Sequence, residues 1–156
     1  MKILYIGVHS NESWRSEYWL SRAFKELGND IKNYNYRSNR KKFKSWNKIN
    51  KELRELEIKF NPDIIFLQRG KNIPKKVVSG FNVPIIFWST EPLNLKSDAD
   101  KLLKADIFSW VFVHSYSCLN RIKTEFPHLI NISSIIHNAC PKDMIKLNDS
   151  KSIFAI

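Results

Sequence analysis

Glu91 follows a short apolar run and precedes a proline, in a segment that reads PIIFWSTEP over residues 84–92. A carboxylate at the exit of a buried strand could be a general base, because partial removal from water raises its affinity for a proton. Glu91 could equally cap the following segment or form an ion pair with Arg69. The residues leave both interpretations open.

Other apolar runs also end in polar side chains. His9 and His114 could exchange protons or donate hydrogen bonds to a substrate, since histidine titrates near neutrality, although neighbouring backbone could satisfy both. Arg69 suits a phosphate or carboxylate group, with a structural salt bridge as the alternative. The remaining candidate substrate-binding residues are Ser10, Asn11, Gly70, Ser89, Thr90, Ser115, Tyr116 and Asn138. Ser115 also fits the N-cap of the helix that follows it.

These side chains would meet only if the apolar runs form neighbouring parallel strands. Strands are predicted over residues 2–8, 30–36, 63–67, 84–88, 108–113 and 132–136. Solid apolar strands that alternate with amphipathic helices indicate a parallel sheet with helices on both faces. We therefore predict an α/β, doubly wound, mostly parallel sheet of about six strands, Rossmann-like in type. Ligands of such sheets bind at the carboxyl ends of the strands.

Helices are predicted between the strands. Apolar residues at helical spacing indicate helices over about 14–27 and 49–60, and further helices are predicted over 72–79, which is short, and 115–126. Ser97 and Asp100 resemble a capping box that opens another helix. Trp88 and Trp110 are expected in the core, and Cys118 is expected to be a small buried hydrophobe.

The chain of 156 residues has the length of one domain and carries a net charge of +11. Nine basic residues and only three glutamates lie between positions 37 and 59. This balance favours anionic partners such as nucleic acid, phosphorylated sugars, acidic polymers or lipid surfaces. A merely solvated basic face is the alternative.

Several classes of protein are disfavoured. The two cysteines lack a Cys-x-x-Cys pattern, which favours a reducing cytoplasm and offers no zinc site. The MKILYIGV start has no cleavage site of a signal peptide, and no apolar run is long enough for a membrane helix. Neither G-x-G-x-x-G nor a P-loop follows the first strand. The acidic positions of a receiver domain are taken by His9, Ser10, Gln68 and Arg69.

Five segments in order, MKILYIGV, NPDIIFLQRG, PIIFWSTEP, FVHSYSCLNRIK and HNACPKD, resemble the N-terminal half of CgeB-like glycosyltransferases of the GT-B fold. The resemblance implies an acceptor-side, Rossmann-like domain over residues 1–145, with 146–156 as the start of a second domain or a tail. It implies that Glu91 is the base and that His9 and His114 contact the acceptor. It also implies that no cofactor or metal is bound and that a nucleotide-sugar donor needs a second domain.

The expected function is therefore the acceptor-binding half of a nucleotide-sugar-dependent transferase, inactive alone. Its partners would be a sugar, protein or polymer acceptor and a donor-binding domain or partner chain. The main alternative is a non-catalytic module that binds nucleic acid or another polyanion through a basic helix over residues 37–59. A flavodoxin-like sensor of small molecules is a third hypothesis, although the chain lacks a phosphate loop.

Overall fold

The computed structural model describes residues 1–10, 15–91, 93 and 98–137. Its six strands form one sheet in the order β2-β1-β3-β4-β5-β6, and every neighbouring pair is parallel. The strands are β1 (Lys2–Gly7), β2 (Asp30–Asn35), β3 (Ile64–Gln68), β4 (Ile85–Ser89), β5 (Trp110–Val113) and β6 (Ser133–Ile135). The predicted fold class is confirmed. The strand order reverses between β1 and β3, where sheets of this type bind their ligands.

In the part of the chain that the structure describes, six helices and one 3₁₀ segment connect the strands. The helices are α1 (Ser16–Glu26), α2 (Tyr36–Phe43), α3 (Trp46–Phe60), α4 (Lys75–Val78), α5 (Asp98–Leu103) and α6 (Tyr116–Glu125). The 3₁₀ segment, Pro127–Ile132, leads from α6 into β6.

The apolar side chains alternate between the two faces of the sheet and form two clusters. On one face, Tyr5, Phe66 and Trp88 pack against Leu20 and Phe24 of α1. The larger cluster, on the opposite face, joins the sheet to α3, α4, α5 and α6. Helices therefore cover both faces, and α1 lies alone on its face among the described helices.

Residues 37–59 form two helices, so the prediction of a single basic helix is wrong. Lys44 has a left-handed backbone with φ of 53° and ends α2, and Ser45 then caps α3. α2 was also missed, and Tyr36 opens it where the second strand was expected to end. Its sequence, YRSNRKKF, has only two apolar residues, too few for a periodic pattern.

The last two strands are shorter than predicted. Pro127 starts a 3₁₀ segment that takes up residues expected to lead directly into β6. Trp110 is 39% exposed, although it was expected in the core. Trp110 lies on the same face of the sheet as α1. However, α1 packs against strands nearer the other edge of the sheet, so it does not cover Trp110. Cys118 is buried in the larger cluster, as predicted.

Within the described residues, no helix combines the length and apolar character needed to cross a bilayer.

Candidate functional site

Arg69 occupies the first position after β3, next to the reversal of strand order. Its φ of 69° and the φ of 64° at Gly70 are both left-handed. A non-glycine residue rarely adopts this backbone, and such strain is concentrated at functional sites. The turn is held by hydrogen bonds from the Arg69 nitrogen to the Trp88 carbonyl, at 3.0 Å, and from the Gly70 nitrogen to the Gln68 carbonyl, at 2.9 Å.

The Arg69 guanidinium lies between two carboxylates. Its Nε is 2.8 Å from Oε1 of Glu17, whose side chain is fully buried. Its Nη1 is 3.3 Å from Oε1 of Glu91, whose side chain is 48% exposed. The ion pair proposed as the alternative role of Glu91 is thus present. Two carboxylates and one guanidinium give the cluster a net charge of −1.

A chain of hydrogen bonds behind this cluster reaches Glu17 from the sheet. The Tyr5 hydroxyl donates to Oε1 of Gln68, and Nε2 of Gln68 donates to Oγ of Ser16 at 2.9 Å. Ser16 in turn donates to Oε2 of Glu17 at 3.2 Å. Burial, followed by the charge of Glu17, raises the pKa of Tyr5 well above its ordinary value. Tyr5 therefore stays protonated and holds Gln68 in place.

His9 is anchored to the same strand. Its Nε2 donates to the Tyr5 carbonyl at 2.9 Å, and its ring meets the Tyr5 ring edge-on at 4.5 Å. This hydrogen bond places the proton on Nε2, so Nδ1 of the neutral ring is an acceptor. Burial lowers the pKa of His9, while the Tyr5 carbonyl and Glu17 act in the opposite direction. The neutral form is favoured.

His9→Gln is expected to make the free energy of unfolding less dependent on pH between about 7.5 and 5.5. Because the pKa of His9 is lowered in the folded protein, the unfolded chain takes up a proton first as the pH falls through about 6.5. The stability is therefore complete above that pH and declines below it. Urea unfolding of both proteins at both pH values measures the difference. Equal losses in the two proteins would contradict the expectation.

Buried polar atoms without an aligned hydrogen bond are concentrated near this edge. Within the described part of the chain they are Oε1 of Glu17, the Tyr36 hydroxyl, Nε of Arg69, Nε1 of Trp88 and Oγ1 of Thr90. The Glu17 and Arg69 atoms form an ion pair whose N–H direction is poor for a hydrogen bond. The other three lie at or near the carboxyl ends of β2 and β4. Buried polar atoms normally have partners, so this concentration favours a ligand there.

Tyr36 is a member of the site that sequence reasoning missed. It follows β2, its side chain is 2% exposed, and burial raises its pKa against the charges of Arg37 and Arg69. The charge of Glu91 also raises the pKa of Tyr36. Glu17 and Tyr5 were missed as well, and Gln68 was not among the predicted site residues. The strand ends pointed to Gln68, but no periodic pattern identifies a buried carboxylate in the first turn of α1.

A cavity of about 420 Å³ opens beside the cluster, between α1 and β2. Its lining includes the predicted residues His9 and Ser10, together with Glu17, Ser21 and Asn33. Ser21 and Asn33 are hydrogen-bonded to each other across it, with Nδ2 of Asn33 2.8 Å from Oγ of Ser21. Its volume is in the range of ligand sites, and its lining mixes hydroxyl, amide and charged groups.

The predicted residues of β4 and β5 lie at matching positions on adjacent strands. Ser89 pairs with Val113 in the register, so Thr90 and His114 follow side by side. Oγ of Ser89 donates to the Glu91 carbonyl at 3.0 Å and shapes the turn that carries Glu91. Tyr116 lies at the start of α6, and its side chain is 73% exposed.

Ser115 is the N-cap of α6, as the sequence also suggested, and its Oγ accepts a hydrogen bond from the Cys118 nitrogen at 3.4 Å. The His114 ring approaches Sγ of Cys118 at 3.8 Å, and the His114 carbonyl accepts from Nδ1 of His137 at 3.0 Å. The structure thus places the predicted residues in two neighbouring groups, one at β1, β3 and β4 and one at β5. The predicted residues Asn11 and Asn138 lie outside the described residues.

No protein-family model matches this sequence, and no curated protein matches it. A solved structure does: UDP-GlcNAc 2-epimerase from Methanocaldococcus jannaschii, with a TM-score of 0.62 and 16% sequence identity. The match covers 88% of this chain and 46% of the enzyme, so the chain spans less than half of the enzyme's length. At this identity the likeness shows the fold, a Rossmann-like domain of the kind found in GT-B-like enzymes.

Proposed function

We propose that this chain is the acceptor-binding half of a GT-B-like sugar transferase, as the resemblance to CgeB-like glycosyltransferases implies. A nucleotide-sugar donor would be held by a second domain or a partner chain. The structural neighbour acts on a nucleotide sugar by its name, and the present chain corresponds to less than half of it. Transfer by this chain alone is not expected.

The observation that carries the proposal is a pair of buried hydroxyls, those of Tyr36 and Thr90, that make no aligned hydrogen bond within the described residues, although Arg37 reaches the Tyr36 hydroxyl. Thr90 directly precedes Glu91, and the charges of Arg69 and Glu91 both act on Tyr36. Hydroxyls left unsatisfied in a folded protein are costly, and a ligand rich in hydroxyl groups would satisfy them. A sugar acceptor has that chemistry.

The charge of the cluster favours the acceptor over the donor. Glu17, Arg69 and Glu91 sum to −1, and Arg69 is already paired on both sides. A diphosphate would meet net repulsion here and no available guanidinium fork. A neutral hydroxyl would meet Glu91, a carboxylate that is held in place yet still reaches solvent.

Residue roles follow from these positions. Glu91 is the proposed base that removes the proton of the attacking hydroxyl, with Arg69 fixing its orientation. Tyr36 and Thr90 hydrogen-bond the acceptor, and His9 and His114 contact it from β1 and β5. Such proton removal requires the carboxylate within hydrogen-bond reach of the hydroxyl.

Neutral sugars are expected to shift the backbone amide signals of Tyr36, Arg69, Thr90 and Glu91 in nitrogen-15 spectra. The probes are glucose, galactose and N-acetylglucosamine at millimolar concentration. Glu91→Gln is expected to weaken binding about tenfold, because a hydrogen bond to a charged group is lost. Glu55→Gln, which alters an exposed carboxylate paired with Lys51 on α3, is the matched control and should change nothing.

The same samples test the second half of the proposal. Labelled UDP-sugars should remain intact when incubated with this chain alone. Turnover of the donor, or tight binding of UDP, would contradict the assignment as an acceptor half. Sugar-induced shifts confined to residues far from the strand ends would contradict the site.

A further inference from the structure

α2 presents a stripe of cations to solvent. Arg37 and Lys41 lie four residues apart, a spacing that places them on one side of the helix, and Lys44 follows as its C-cap. All three are exposed. A different side of α2 carries Tyr36, which is buried, and Phe43, which packs against the core. Lys41 and Lys44 are open to solvent, whereas the exposed Arg37 side chain also reaches the Tyr36 hydroxyl.

No carboxylate among the described residues neutralises this stripe. Six basic residues and no acidic residue lie between positions 36 and 50. None of the six forms an ion pair with a described carboxylate. They are Arg37, Arg40, Lys41, Lys42, Lys44 and Lys48.

The nearest acids along the chain, those of α3, have other partners. Glu52 accepts from the Tyr34 hydroxyl, Glu55 pairs with Lys51, and Glu57 pairs with Arg54. The cations of α2 repel one another, so an anionic partner would relieve a real electrostatic cost.

The stripe begins at the proposed site. α2 starts at Tyr36, directly after β2, and the charges of Arg37, Arg69 and Glu91 all act on the Tyr36 hydroxyl. An extended ligand bound along α2 would therefore have one end at the carboxyl edge of the sheet. Over its eight residues the helix extends about 12 Å from that edge.

We propose that the cationic surface of α2, defined by Arg37, Lys41 and Lys44, binds an acceptor that is an anionic glycan polymer. The inference rests on the proposed function, because it names the acceptor class of that same site. Carboxylate or phosphodiester groups of the polymer lie along α2, and a neutral hydroxyl near its end reaches Glu91. The net charge of −1 at the cluster and the positive charge of α2 then select different parts of one ligand.

The structure favours such a polymer over nucleic acid or a membrane. The two aromatic residues within the basic stretch, Phe43 and Trp46, pack against the core, and Arg40 lies over the Trp46 ring at 5.4 Å. They are not placed to stack on bases. None of the exposed large apolar residues of the described chain lies on α2, whereas a helix that enters a lipid surface needs them.

The test compares two variants with the same change in charge. Lys41→Gln/Lys44→Gln alters the stripe, and Lys101→Gln/Lys123→Gln removes two exposed lysines from α5 and α6. Circular dichroism and urea midpoints first establish that both are folded. Binding to polygalacturonate, with neutral dextran as the reference polymer, is then measured at several salt concentrations.

Lys41→Gln/Lys44→Gln is expected to weaken binding to polygalacturonate about tenfold at low salt and to flatten its salt dependence. The control variant should bind within about twofold of the parent protein. If both variants lost the same affinity for polygalacturonate, net charge alone would explain the binding, and the proposal would be overturned. Preferential binding of duplex DNA or of vesicles containing phosphatidylglycerol would also overturn it.

This outcome is independent of the neutral-sugar experiment. Polymer binding through α2 without any sugar-induced shift at Glu91 would contradict the proposed function and leave a polyanion-binding surface. Sugar shifts at Glu91 without polymer binding would contradict the α2 inference alone.

Discussion

Glu17→Gln is expected to lower the free energy of unfolding by about 3 kcal/mol. Glu17 is fully buried and forms a 2.8 Å ion pair with Arg69. The substitution keeps the size of the side chain but leaves the guanidinium with one partner, Glu91, which is half-exposed. Loss of one member of a buried ion pair costs about 3–5 kcal/mol, and the lower end applies because Arg69 is 24% exposed.

Glu26→Gln is the matched control on the same helix. Glu26 pairs with Arg22 at 2.6 Å, but both side chains are about half exposed or more. An exposed pair contributes little, so the change should stay within about 0.5 kcal/mol. Urea unfolding followed by circular dichroism measures both variants. A similar small loss in both would show that Glu17 is solvated and would remove the basis for the positioning of Arg69.

Gly70→Ala is expected to lower the free energy of unfolding by about 3 kcal/mol. Gly70 has a φ of 64°, which an alanine adopts only with strain. A Cβ atom there would also lie 2.8 Å from Cδ1 of Leu102 and 3.2 Å from Cε2 of Phe87. Both neighbours are fully buried, so neither moves without displacing others.

Gly28→Ala separates the cost of backbone strain from the cost of the steric collision. Gly28 has a φ of 77°, close to that of Gly70, and a Cβ atom there would have no neighbour within 4 Å. Only the backbone strain remains, so the expected loss is about 1 kcal/mol. The difference between the two variants measures the close packing behind Arg69. Equal losses would contradict the collision with Leu102.

Most of the sheet could be predicted from the sequence because its strands are continuous apolar runs. The strand IIFLQ, for example, is buried on both faces, and only a parallel sheet with helices on both sides requires such a run. The position of Arg69 and Glu91 at the carboxyl edge follows from the same argument. α2 could not be predicted, because Tyr36 and Phe43 alone anchor it to the core.

The sequence by itself determined the α/β class, the parallel sheet and the set of polar residues that leave the strands, since each depends on the local alternation of apolar and polar side chains. Only the tertiary structure decided which of them interact. Glu17 and Arg69 are 52 positions apart in the chain, and Tyr36 reaches the same edge from β2. Such contacts depend on strand order and on how α1 packs over the sheet, and neither is encoded in a local pattern.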